Sequence, residues 1–145
     1  MRYSSLHRGL RRALPAFATL CVSGALLADD VTGSDSLLCY ALSATRCGIA
    51  GTCVQTQPWE LNLPDFLKLD LDAKLAMTTE ASGELRETPI RTIERGDGMI
   101  LLQGVQGERA FSWLITEDTG EGTLTVSSPA AGLTLFTVCT PIDKL

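Results

Sequence analysis

Phe66-Leu67-Lys68-Leu69-Asp70-Leu71-Asp72 decides the fold class. Leucine occupies every second position, and Lys68, Asp70 and Asp72 fill the places between. Side chains along a strand alternate between two faces, so this stretch predicts a strand with one face in a core and one in water. Such half-buried strands belong to antiparallel sheets. Residues 75–79 follow closely enough to pair back onto it. Further on, Gly96-Asp97-Gly98 separates residues 90–94 from residues 99–103. Asp-Gly accepts the positive φ angles of a tight turn, which makes this the strongest hairpin signal in the chain.

The flanking sequence is built the same way, from short runs broken by turn residues. Leu37-Leu38-Cys39-Tyr40-Ala41-Leu42 predicts a first strand and residues 52–57 a second. Residues 58–64 carry proline at both ends and predict an ordered loop. Ser82-Gly83 predicts a turn. Residues 110–116, 123–127 and 133–139 predict the remaining strands, and the chain from Thr140-Pro141 onward a tail. No apolar stripe of helical period appears. The fold class expected is all-β: an antiparallel up-and-down meander of eight to nine strands, closed as a barrel or stacked as a sandwich.

Residues 1–28 have another character. Arg2, Arg8, Arg11 and Arg12 come with no acid, an uncharged apolar run follows, and Asp29-Asp30 brings the first carboxylates. A positive start, a short apolar segment and small residues near its end form the pattern of a cleaved signal peptide. Residues 13–28 are too few for a spanning helix, and Pro15 lies among them. Cleavage after Ala28 places charge just downstream, whereas cleavage after Ala25 has Ser23 at the third position back. Leu20 before Cys21 argues against a lipid anchor, and Arg11-Arg12 fits an ordinary basic start better than a twin-arginine signal. The expected organisation is therefore a signal peptide over 1–28 and a single β domain over 29–145, periplasmic or secreted.

Processing would remove four of the 12 basic residues and none of the 17 acidic ones, moving the net charge from −5 to −9. An acidic domain without a basic cluster does not neutralise phosphates, so no nucleic acid is expected as a partner. The mature chain is expected to be soluble and not membrane-spanning.

Four of the five cysteines remain: Cys39, Cys47, Cys53 and Cys139. An even count in an exported domain indicates disulfides. Of the three pairings, Cys47–Cys53 with Cys39–Cys139 is favoured. Gly48 and Gly51 let the first pair approach across a turn, and the second would tie the first strand to the last. Zinc is disfavoured because the spacings are long and the single histidine, His7, lies in the signal segment. No metal and no cofactor are expected.

The lack of histidine after residue 28 removes Ser-His-Asp, Cys-His and histidine acid–base chemistry. No G-x-S-x-G elbow, phosphate loop or dinucleotide fingerprint is present. Asp70 with Asp72, and Glu117, Asp118 and Glu121 in one turn, are read as solvated surface ahead of a weak cation or catalytic site. No catalytic residue is assigned. Trp59, Phe66, Phe111, Trp113 and Phe136 are read as core first and as an aromatic floor for a ligand second. Residues 99–102 are apolar on both faces, and Phe111, Trp113 and Ile115 face opposite Ala110 and Leu114. Two-faced strands require a second layer, an internal pocket or a partner surface. Trp59, Met99, Leu101, Phe111 and Trp113 are the candidate ligand or partner surface.

Asn62-Leu63-Pro64-Asp65-Phe66, Ile90, Leu101-Leu102-Gln103-Gly104 and Cys139-Thr140-Pro141 together resemble small secreted bacterial proteins without a defined activity. The resemblance covers most of residues 29–145 and implies an extracytoplasmic, periplasmic location. It implies no activity and no site. The architecture is also similar in general form to lipocalins and small-barrel lysozyme inhibitors of the periplasm, without a diagnostic motif of either. The expected function is non-enzymatic binding of a small apolar ligand. The alternative is a protein–protein or inhibitor module of the bacterial envelope, followed by a carboxylate-dependent enzyme.

Overall fold

A computed structural model describes residues 29–142. The expected signal peptide, its cleavage sites and Cys21 lie outside the described residues. Ten strands form one antiparallel sheet: β1 (Ser36–Gly48), β2 (Cys53–Thr56), β3 (Phe66–Asp70), β4 (Leu75–Thr78), β5 (Glu87–Pro89), β6 (Thr92–Gly96), β7 (Met99–Gln106), β8 (Arg109–Thr116), β9 (Glu121–Ser127) and β10 (Ala131–Pro141). Nine follow the spatial order β5-β4-β3-β1-β10-β9-β8-β7-β6, and β2 pairs with β1 beyond that path. Apart from the short β2 excursion this is an up-and-down meander, curled into a half-barrel whose first and last long strands meet.

The unpaired ends of the sheet are β5 and β6. Gln106 of β7 bridges the gap beside β5: its Nε2–H donates to the Glu87 carbonyl at 3.1 Å, and its Oε1 accepts from Thr88 Oγ1 at 2.9 Å. The Arg91 amide donates to the Gln103 carbonyl at 2.7 Å. Side-chain and loop hydrogen bonds thus substitute for the ladder that full closure would supply.

The decisive alternation behaves as its pattern requires. Leu69 and Leu71 are buried and Leu67 is half-buried, while Asp72 is exposed. In the hairpin joining β6 to β7, Asp97 and Gly98 both have positive φ, 53° and 74°, as a two-residue turn of that hand demands. Both disulfides form as expected. Cys39 and Cys139 are register partners on the β1–β10 seam, and Cys47 and Cys53 are partners across β1–β2.

Some expectations are corrected. β5 is a strand of only three residues and gives no sequence pattern long enough to detect. β10 continues through Thr140 and Pro141, which were expected in a tail. Pro141 is fully buried opposite Leu37; at the last position of a strand its missing N–H costs little. Glu121, expected in a turn with Glu117 and Asp118, opens β9. Residues 58–64 contain a 3-10 turn over Pro58–Leu61. The aromatic set is not mainly core. Trp113 is buried, but Trp59, Phe66 and Phe136 are 62%, 42% and 51% exposed, because the latter two sit on the outward parity of their strands.

The interior is arranged in cross-strand rows. Ala44, Leu135, Leu124, Trp113 and Leu102 are successive partners across β1, β10, β9, β8 and β7, and all are buried. Below them Ala41, Thr137, Gly122, Ile115 and Ile100 form a second row. Gly122 is needed there. A Cβ on it would stand 3.0 Å from Trp113 Nε1 and 2.8 Å from Thr137 Oγ1, and the Trp113 indole N–H donates to that hydroxyl at 3.1 Å.

One end of the barrel is sealed by the chain preceding β1. Val31 is fully buried, and its amide donates to the Glu117 carbonyl at 2.8 Å. Thr140 Oγ1 donates to Asp29 Oδ2 at 3.1 Å. Arg95 donates to the Ser34 carbonyl and stands 3.5 Å from Asp35 and 3.9 Å from Glu117.

Candidate functional site

The opposite end is open and holds a cavity of about 640 Å³. Trp113 and Leu124 form its floor. Its wall is the next interior row, in which Arg46, Leu133, Val126, Phe111 and Gly104 are partners across the same five strands. Gly104 makes room for the Phe111 ring: a Cβ there would lie 2.3 Å from Phe111 Cε1 and 2.7 Å from the Pro89 carbonyl oxygen. Leu67 and Ala76 of β3 and β4, with Leu61 and Leu63 from the preceding loop, complete an apolar lining.

Arg46 reaches this interior row through a β-bulge. Leu37, Cys39 and Ala41 point inward, and the register shifts between Ala41 and Ser43, so that Ala44 and then Arg46 take the inward places. Were Leu42 paired in a regular ladder, Thr45 and Cys47 would face the interior instead. Arg109 opens β8 on the parity of Phe111 and Trp113 and lines the same cavity. Arg86 lies between β4 and β5. Its amide donates to Thr78 Oγ1 at 2.8 Å and its Nη2–H to the Asn62 carbonyl at 3.0 Å, which ties two wall segments together. Its Nε is buried without a hydrogen-bond partner and stands 3.6 Å from Glu84 Oε2.

Glu60 also lines the cavity. Its Oε2 accepts from Thr56 Oγ1 at 2.5 Å and from the Gln57 amide at 3.1 Å. The Thr56 hydroxyl first, and the Gln57 amide second, hold this carboxyl below the ordinary carboxylate range; slight desolvation opposes them. Arg46 and Arg109 are exposed, and their side chains have no hydrogen-bond or ion-pair partner among the described residues.

Of the expected surface residues, Phe111 and Trp113 come together in the cavity. Trp59 lines a separate recess of about 350 Å³ that shares Leu63, Pro64 and Arg86 with the first. Met99 and Leu101 are on the outward parity of β7, between buried Ile100 and Leu102, and do not join Phe111 and Trp113. The arginines were missed. Arg109 could have been found, because it continues the two-residue alternation of Phe111, Trp113 and Ile115. Arg46 could not, because simple alternation from Leu37 puts it on the other face. Two of the carboxylates singled out in the sequence serve local structure: Asp70 Oδ1 accepts the Ala73 amide at 2.8 Å, and Glu117 stands 3.9 Å from Arg95. No group of three or more His, Cys, Asp or Glu that could hold a metal occurs among the described residues. No helix among them is long and apolar enough to cross a membrane. Comparison with protein families, curated proteins and solved structures finds no match.

Proposed function

We propose that this protein is a non-enzymatic, extracytoplasmic binding module that holds a small apolar ligand in the open end of its barrel. The cavity carries the reading. Its volume of about 640 Å³ lies within the roughly 300–1,000 Å³ usual for small-molecule sites, and its walls are apolar with a few polar groups at the mouth. Export to the periplasm or beyond is supported by the signal pattern of residues 1–28 and by two disulfides, which persist in oxidising compartments.

Titration with the neutral apolar dye N-phenyl-1-naphthylamine tests this. Saturable one-to-one binding is expected, weakened at least tenfold by Val126→Trp, which fills the wall. Dye binding unaffected by that substitution, or no saturable binding at all, would sink the reading.

The outer face favours a second reading, a protein–protein or inhibitor module of the envelope. Tyr40 and Phe66 pack there with ring centroids 5.2 Å apart, and Leu42 of β1 and Phe136 of β10 are exposed as well. A group of exposed apolar side chains on one face is the kind of surface that takes a protein partner.

A further inference from the structure

Residues 29–145 contain eight basic side chains against 17 acidic ones, and three of the eight line one cavity. Arg46, Arg86 and Arg109 come from β1, the β4–β5 connection and β8, segments far apart in sequence. Two of them occupy inward strand positions. Those are places a strand normally gives to apolar side chains, and Arg46 reaches its place only because the bulge resets the alternation. A need for solubility is met equally well by outward positions, so it does not account for arginine on the inner face. Local anions leave the set largely unmatched. Glu60 is engaged by Thr56 and Gln57, and Glu84 stands 3.6 Å from Arg86 Nε without forming a hydrogen bond. The guanidiniums of Arg46 and Arg109 each offer five N–H donors in a planar fork suited to carboxylate or phosphate oxygens, and Arg86 adds those not turned to Asn62 or Glu84. Apolar surface of Phe111, Val126 and Leu133 lies directly along the row that Arg46 ends.

We propose that the cavity takes a single-chain anionic amphipath. Its carboxylate or phosphate head meets Arg46, Arg86 and Arg109, and its chain lies over Phe111, Val126 and Leu133 toward Trp113. This rests on the ligand-binding reading above and adds the charge of the ligand to it.

The test compares four probes of equal chain length on the disulfide-intact protein, each below its micelle concentration: dodecanoate, dodecyl phosphate, dodecanol and dodecyltrimethylammonium. Dodecanoate or dodecyl phosphate is expected to bind roughly tenfold to a hundredfold tighter than dodecanol, the range for hydrogen bonds to charged groups. The better of the two identifies the head group. The advantage shrinks as salt rises, and the cationic probe binds weakest. The double variant Arg46→Gln/Arg109→Gln is expected to erase the preference while dodecanol binds as before, which also shows that the variant is folded. Equal affinity for all four probes would overturn the proposal and leave the ligand-binding reading standing. Binding of none of them would overturn both. An anionic preference that survives the double variant would overturn the assignment to these arginines.

Discussion

Trp113 is the residue on which the two halves of the barrel depend. Its ring closes the packed half, one side of it floors the cavity, and its one polar atom is satisfied by Thr137 alone. A buried donor that loses its acceptor costs about 1–3 kcal/mol, more than a hydrogen bond adds when made. Thr137→Val should therefore lower unfolding free energy by about that amount in urea, with Thr137→Ser near wild type. A Thr137→Val protein as stable as the parent would show that the indole finds water or another acceptor. At this scale the sequence was partly transparent. Trp113 shares the parity of Phe111 and Ile115, and that alternation is enough to turn it inward. Phe66 is equally legible in hindsight, since it has the opposite parity to Leu67 and must face out. Hydrophobicity alone suggested core for both, whereas position along the strand separates them.

At the scale of elements, β1 is the strand that sequence reading underestimates. It runs for 13 residues, more than twice the length that the apolar run suggested, and it changes faces midway. A bulge has no composition signal of its own here, as Leu42 is an ordinary strand residue that happens to be unopposed. The bulge is nonetheless what gives the cavity Arg46 and keeps Ala44 in the core. Deleting Leu42 should straighten β1 with Ala44 still opposite Leu135 and Arg46 still opposite Leu133, because Ser43 then follows Ala41 directly in the ladder, and should cost about 0.5–3 kcal/mol without loss of the fold. Leu42→Ser, which keeps the extra residue and alters only a half-exposed side chain, should change stability by no more than about 0.5 kcal/mol. Chemical denaturation checks both variants; a deletion variant that fails to fold would show that β1 needs the bend itself and not only the inward places of Ala44 and Arg46. The Asp97-Gly98 hairpin is the contrasting case. Its turn chemistry is local, so two residues were enough to place β6 and β7. β5 is held instead by Gln106 from across the gap, and no local pattern announces such a partner.

At the scale of the molecule, the two disulfides do unequal work. Cys39–Cys139 closes a loop with a sequence separation of 100, and Cys47–Cys53 one of 6. In the chain-entropy model these limit the unfolded state by about 4.7 and roughly 2 kcal/mol respectively. Cys39→Ser/Cys139→Ser should accordingly lower the denaturation midpoint well beyond Cys47→Ser/Cys53→Ser. The reverse order would mean that the β1–β2 hairpin contributes more to the native state than loop closure suggests. The overall class and both pairings were legible because alternation, turn residues and cysteine count each act over short distances or by elimination. The cavity was legible only as a need, in strands apolar on both faces. Its arginines were not, because Arg46, Arg86 and Arg109 are far apart in sequence and line one cavity only after the sheet has curled.

The meeting of β1 and β10, together with Asp29 hydrogen-bonded to Thr140, gives the chain a geometric property unrelated to ligands. The first and last of the described residues lie side by side at the sealed end, so their backbone is a ring with one cut. That cut is not required to be where it is. A short tether between the two ends would allow the ring to be opened instead at the Gly107 turn, beside the cavity, with every ladder pairing retained. The barrel thus defines a circular order of strands, and the linear order of this sequence is one of several ways to write it.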